Sequence, residues 1–228
     1  YAMSPLIDGD KVIVCPGGDN ASVAALNKDS GETIWTGGGS DIPGYATPVK
    51  AAINGQDQYV VFTGVSLIGL SVDGGPALWR VPWVNKYKVN AAKPLVAGNH
   101  IFFTSDYGRG CAVVVIEPEG AVIKWENTEV RAHFSSPVYY NGAMFANSNP
   151  GYLVCLNAAT GGVIWKQQGF EKGGLVAVDG VLIAMDGKGG DLVMVNATAD
   201  GYQELGRLKP LGGQSWTAPI TTGGKLII

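Results

Sequence analysis

The chain's capacity for chemistry rests on few side chains: His100 and His133, three cysteines, and nineteen acids. Cys15, Cys111 and Cys155 are far apart and form no CxxC pair, so their spacing supports neither a disulfide framework nor a thiolate metal site. Each lies in an apolar run, where a small buried thiol is the ordinary reading. Two histidines are too few for zinc, which takes three or four His, Cys or carboxylate ligands. Calcium takes six or more oxygens. Asp19, Asp186 and Asp191 are the acids that could supply them, with Asp106, Asn90 and Asn149 expected on the same face. Such an ion polarises a carbonyl as a Lewis acid, and His133 is then the candidate general base. The glycine-rich "GKGGD" at 187–191 lacks the Lys-Ser/Thr pair and helix of a phosphate loop. No "GxSxG" nucleophile elbow is present.

The elements that must position these residues are legible from repetition. Trp35, Trp79, Trp125 and Trp165 are 44, 46 and 40 residues apart, each with a glycine four or five positions earlier. "ATADGYQELG" keeps the glycine at Gly201 and places Leu205 where tryptophan is expected, which predicts a weaker contact there. A second phrase recurs upstream as "SPLIDGDKVIV", "KPLVAGNHIFF", "SPVYYNGAMFA", "GLVAVDGVLIA" and "APITTGGKLII", with a longer version at "TPVKAAINGQDQYVVF". Each unit divides into four short apolar or alternating runs, a to d, separated by turn residues, and Asp-Gly and Asn-Gly between such runs mark hairpins. Nothing of helical period interrupts the series. Four strands repeated every 40 to 45 residues predict an all-β chain of four-stranded antiparallel blades, a β-propeller. The expected repeats are 1–43, 44–88, 89–132, 133–172 and 173–215, with a partial sixth at 216–228, in one domain. The incomplete sixth unit leads us to expect that the natural chain extends beyond Ile228, and the start in mid-pattern that it also begins earlier.

In this topology the a–b and c–d turns share one face and are short. The d–a and b–c loops share the other, are longer and more varied, and form the expected working surface. The d–a segments bring Tyr45, Lys88, Asn90, His133, Phe134, Lys172 and Trp216 to that face. The b–c loops add Asp19, Asp106, Arg109, Asn149, Asp186 and Asp191. His100 falls on the opposite face. Thirty-four glycines and twelve prolines suit the many turns. A net charge of −3, with sixteen scattered Lys and Arg, argues against a nucleic-acid footprint, and no apolar run is long enough to span a membrane.

"AALNKDSGETIW" and "VCLNAATGGVIW" resemble the tryptophan-docking repeat of the quinoprotein-like propellers. Ala25, Asn27, Gly31 and Trp35 fit that pattern, as do Cys155, Asn157, Gly161 and Trp165. The resemblance covers essentially the whole chain and is similar in particular to the carboxyl-terminal part of the exported pyrroloquinoline-quinone-like repeat proteins of bacteria. It implies a periplasmic or secreted location. Some members of the family are quinone-dependent dehydrogenases, and others are interaction platforms without a cofactor. The alcohol-oxidising members use an adjacent cysteine pair, absent here, so the residues do not favour pyrroloquinoline quinone. The expectation is a module that binds a small molecule or a protein at the d–a/b–c face. Its ligand set is Tyr45, Asn90, Asp106, Arg109, Phe134, Asn149, Lys172 and Trp216. The alternatives are a calcium-dependent hydrolase, for example a lactonase, acting at the same face, and a quinone-dependent oxidoreductase.

Overall fold

A computed structural model describes residues 3–228; Tyr1 and Ala2, the start of the first expected repeat, lie outside the described residues. The first sheet contains β1 (Leu6–Asp8), β2 (Lys11–Val14), β3 (Val23–Asn27) and β4 (Thr33–Gly37). The second contains β5 (Val49–Ile53), β6 (Gln56–Phe62), β7 (Ser66–Ser71) and β8 (Trp79–Pro82). The third contains β9 (Leu95–Ala97), β10 (His100–Ser105), β11 (Gly110–Glu117) and β12 (Gly120–Asn127). The fourth contains β13 (Val138–Tyr140), β14 (Ala143–Ser148), β15 (Tyr152–Asn157) and β16 (Val163–Gln168). The fifth contains β17 (Leu175–Val178), β18 (Val181–Met185), β19 (Leu192–Asn196) and β20 (Glu204–Leu208). A two-stranded sheet, β21 (Ile220–Thr222) and β22 (Lys225–Ile227), follows. Sequential strands are neighbours throughout, and no helix occurs among the described residues.

Turn chemistry sets the registers. The β5–β6, β13–β14 and β17–β18 hairpins turn on Asn54-Gly55, Asn141-Gly142 and Asp179-Gly180, with both residues of each pair at positive φ. That is the twist a two-residue hairpin needs. At the turn after β3, Asn27 Oδ1 accepts the N–H groups of Asp29 and Ser30, both at 2.9 Å. Asn157 repeats this with Ala159 and Thr160 at 2.9 and 3.1 Å. A bulge then pairs Ala25 with Trp35 and Leu26 with Thr33, and likewise Cys155 with Trp165 and Leu156 with Val163. Ile34 and Ile164 are the extra residues and are exposed.

The fifth sheet corrects the expectation for Leu205. There Met194 pairs with Gly206 and Val195 with Glu204, so Gly206 takes the tryptophan's place. Leu205 takes the bulge position and is 56% exposed. The longer turn between Asn196 and Gln203 shifts the count, which glycine-to-tryptophan spacing could not reveal.

The chain forms two compact units, Tyr1–Arg109 with Val113–Lys124, and Gly110–Ala112 with Trp125–Ile228. In the first unit, Ile13, Val23, Tyr59, Val61, Ile68 and Leu70 form a buried cluster against which Trp35 packs. The Trp35 ring lies over Gly74, where an added Cβ would sit 2.6 Å from it. Trp79 instead folds over Gly69 of its own sheet and donates its indole N–H to Gln58 at 2.7 Å. In the second unit, Phe145, Leu153, Trp165, Phe170, Leu182 and Val193 are the corresponding core. Trp125 covers Gly161 and donates to Ala158 O at 3.0 Å, and Trp165 donates to Thr198 O at 2.9 Å. Each tryptophan removes roughly 150–250 Å² from water; Trp35, Trp125 and Trp165 place that area between consecutive sheets, whereas Trp79 packs on its own sheet.

Candidate functional site

In the second unit three d–a segments converge. The segment after β12 supplies His133 and Phe134, whose rings stack at 3.8 Å and 18°. The segment before β21 supplies Trp216, 5.3 Å from Phe134 by ring centroid. The segment between β16 and β17 supplies Lys172, whose Nζ lies 5.3 Å from the Trp216 ring centroid. Trp216 is nonetheless 45% exposed. The glycines after Lys172 explain its position: a Cβ on Gly173 would lie 1.8 Å from Met185 O, and one on Gly174 would lie 2.3 Å from Ala218. Only glycines let this segment settle between β18 and the segment that carries Trp216. The Ser215 N–H donates to Gly187 O at 3.0 Å and fixes Trp216 from the other side.

Of the other residues expected in this unit, Asn149 is tied to Arg131, accepting from Nη2 at 3.3 Å and donating to its carbonyl at 3.1 Å. The Asp186 carboxylate caps its own b–c turn, accepting from the N–H groups of Glu171, Lys188 and Gly189. Asp191 pairs with Arg207 at 3.1 Å and Lys209 at 3.8 Å. The carboxylates of Asp186 and Asp191 are therefore engaged in local structure.

In the first unit, Asp19 is exposed on the loop after β2. Asn90 is fully buried; its Nδ2 donates to Thr63 O and Trp83 O, and its carbonyl accepts from Tyr45 and Ala46. Asn90 thus positions Tyr45 and presents no side chain to a ligand, a correction to its expected role. Arg109 lies 3.3 Å from the ring centroid of buried Trp83, a cation–π contact. Asp106 precedes Tyr107, whose phenol is pushed up by burial and by the Asp106 charge. Sequence reasoning missed Asp41, which gathers Arg80 Nη1, Ser66 Oγ and Thr63 Oγ1 while Arg80 Nη2 holds Gly38 O at 2.7 Å. This node clamps the loop ahead of Tyr45. No motif signals it, because Asp41 follows the first sheet and its partners come from the second.

Burial pushes the thiols of Cys15, Cys111 and Cys155 up to about 12, so they stay protonated at neutral pH and are poor nucleophiles. Among the described residues, no three His, Cys, Asp or Glu side chains gather as a metal site. Stacked rings beside an accessible ammonium suit apolar and anionic groups of another molecule.

All-β architecture in four-stranded antiparallel blades, five complete and a sixth begun, defines a β-propeller, and the comparisons agree. The solved BamB of Moraxella catarrhalis superposes with a TM-score of 0.73 at 18% identity, covering 97% of this chain and 64% of that one. The family model described as outer membrane protein assembly factor BamB matches residues 2–167 and 113–225, and the chain belongs to that family. The factor of that name from Escherichia coli (strain K12) is 28% identical over 190 residues, 75% of this chain and 45% of that protein. The Yersinia pestis factor is 27% identical over 182 residues, 73% and 44%. The chain therefore spans under half the length of these curated relatives. No helix is long and apolar enough to cross a membrane among the described residues.

Proposed function

We propose that this chain is a protein-binding scaffold module of an exported bacterial propeller protein, acting in the periplasm or outside the cell, and that the Trp216 patch receives the partner. The observation that carries the reading is the convergence of Phe134, Lys172 and Trp216 from three separate loops, with the Trp216 ring left 45% exposed. A large ring held in place by neighbours and still open to solvent is the usual make-up of a binding hot spot. The relatives are named as outer membrane protein assembly factors, which supports a polypeptide as the partner. The proposal invokes no cofactor.

The test is capture of an unfolded outer-membrane β-barrel protein by the immobilised chain, compared with Trp216→Ala and Lys172→Ala variants of unchanged circular dichroism. Binding is expected to weaken roughly tenfold or more, the loss of about 1.4 kcal/mol or greater. Equal binding by wild type and both variants would overturn the assignment of the patch. Turnover of lactone or ester substrates that disappears on chelation and in His133→Ala would instead establish the calcium-dependent hydrolase.

A further inference from the structure

The first unit carries a second exposed cluster, on the loop that follows β8, which the proposed function does not use. The loop is built to hold one shape. Asn85 is 5% exposed, and its Oδ1 accepts the N–H groups of Tyr87 at 3.0 Å and Val89 at 3.1 Å. Its Nδ2 donates to Val89 O at 2.5 Å and to Asn90 Oδ1 at 3.2 Å. Beneath the loop, Trp83 is fully buried, donates to Ser105 Oγ at 2.9 Å and meets Phe103 edge-to-face at 4.7 Å. Lys88 adopts φ 56, and its N–H donates to Asn85 O at 3.1 Å. A lysine rarely takes that conformation unless its surroundings determine it.

What this loop holds out is apolar and cationic. Val84 is 50% exposed and Tyr87 57%. Tyr87 leans edge-on against Tyr107 at 4.7 Å and 71°, with Lys86 Nζ 5.2 Å from its centroid. Lys50, Lys124, Lys188 and Lys209 each have a carboxylate within ion-pair distance. Lys86 and Lys88 have none among the described residues. Lys86 and Lys88 are thus two exposed cations on one loop of a chain whose net charge is −3.

We propose that the Val84–Lys88 loop docks an acidic linear segment of a partner protein, with an apolar side chain against Val84 and Tyr87 and carboxylates on Lys86 and Lys88. Charge complementarity selects the occupant, and a loop already locked by Asn85 loses little further freedom on binding. This surface stands independently of the Trp216 patch.

A fluorescein-labelled, capped Asp-Phe-Glu-Leu-Asp peptide, followed by anisotropy, is the probe. Binding is expected to fall with added salt and to weaken roughly tenfold in Lys86→Glu/Lys88→Glu and in Tyr87→Ser. Trp216→Ala is expected to bind as wild type does. A peptide with lysine in place of each acid is expected not to bind. Unchanged affinity in the charge-reversed variant, equal binding of the lysine peptide, or loss of binding in Trp216→Ala would each overturn the proposal. So would sedimentation showing self-association that Tyr87→Ser abolishes, which assigns the loop to a second copy. Failure of the peptide to bind, with Lys86- and Lys88-dependent pelleting on anionic phosphatidylserine vesicles, would assign it to a membrane surface.

Discussion

The indole N–H of Trp125, on β12, donates to the carbonyl of Ala158, in the turn after β15, at 3.0 Å. Trp165 repeats the relationship with Thr198 at 2.9 Å. In the first unit the carbonyl matching Ala158, that of Val72, is occupied by Lys11 Nζ at 3.1 Å, and Trp35 Nε1 is buried without a partner among the described residues. At the seams of Trp35, Trp125 and Trp165 the ring is thus the constant part, and the hydrogen bond is the variable part.

Truncating a seam ring should cost far more than truncating the bulge residue. Trp165→Ala is expected to lower stability by about 3–5 kcal/mol, as large-to-small changes in cores do. Leu205→Ala is expected to stay within about 0.5 kcal/mol, as at ordinary surface positions. Urea denaturation of both variants measures this. A Leu205 effect comparable to that of Trp165 would return Leu205 to the seam.

Gly161 has φ 72, and a Cβ there would lie 2.5 Å from the Trp125 ring and 2.8 Å from Asn127 Nδ2. Gly161→Ala therefore combines backbone strain with displacement of the ring. A loss of about 2–4 kcal/mol is expected, with a shift in tryptophan fluorescence. Gly142→Ala separates the two causes: it shares the positive φ, at 79, but meets nothing within 4 Å.

All three thiols are buried, with values pushed up to about 12 chiefly by desolvation. The native protein should leave a thiol reagent such as dithiobis-nitrobenzoate unconsumed at neutral pH, and three equivalents should react in denaturant. Rapid reaction of any thiol in the folded state would show that its strand opens.

Asp8 ionises below the usual carboxylate range because Lys50 and then Tyr59 hydrogen-bond its carboxylate. Glu204 does so because of Arg207 and then Tyr202. A carboxyl group easier to ionise when folded contributes stability that is complete above its unfolded value, near pH 4, and is lost as pH falls through its folded value. Stability should accordingly be level from neutral to about pH 5 and decline below about pH 4. Asp8→Asn should make the acid decline shallower. A slope identical to wild type would show that Asp8 makes no such contribution.

The fold was readable because its instructions are local. Asn54-Gly55 and Asn141-Gly142 specify hairpins from two adjacent residues, and Trp35 and Trp165 mark fourth strands by period alone. Leu205 was misplaced because a longer turn changes register without changing the surrounding residue types. The candidate site was read only in part. Phe134, Lys172 and Trp216 were placed on the right class of loop, but Asn90 turned out to be buried, and Asp41 and Tyr87 gave no signal.

By itself, the order of residues determined which strands pair and where the chain turns, since each depends on neighbours within one repeat. Only the tertiary structure decided that Phe134, Lys172 and Trp216, more than 80 residues apart from first to last, share one surface, and that Asp186 caps its own turn. Those outcomes depend on distances between loops from different repeats, and a sequence carries no such distances until packing sets them.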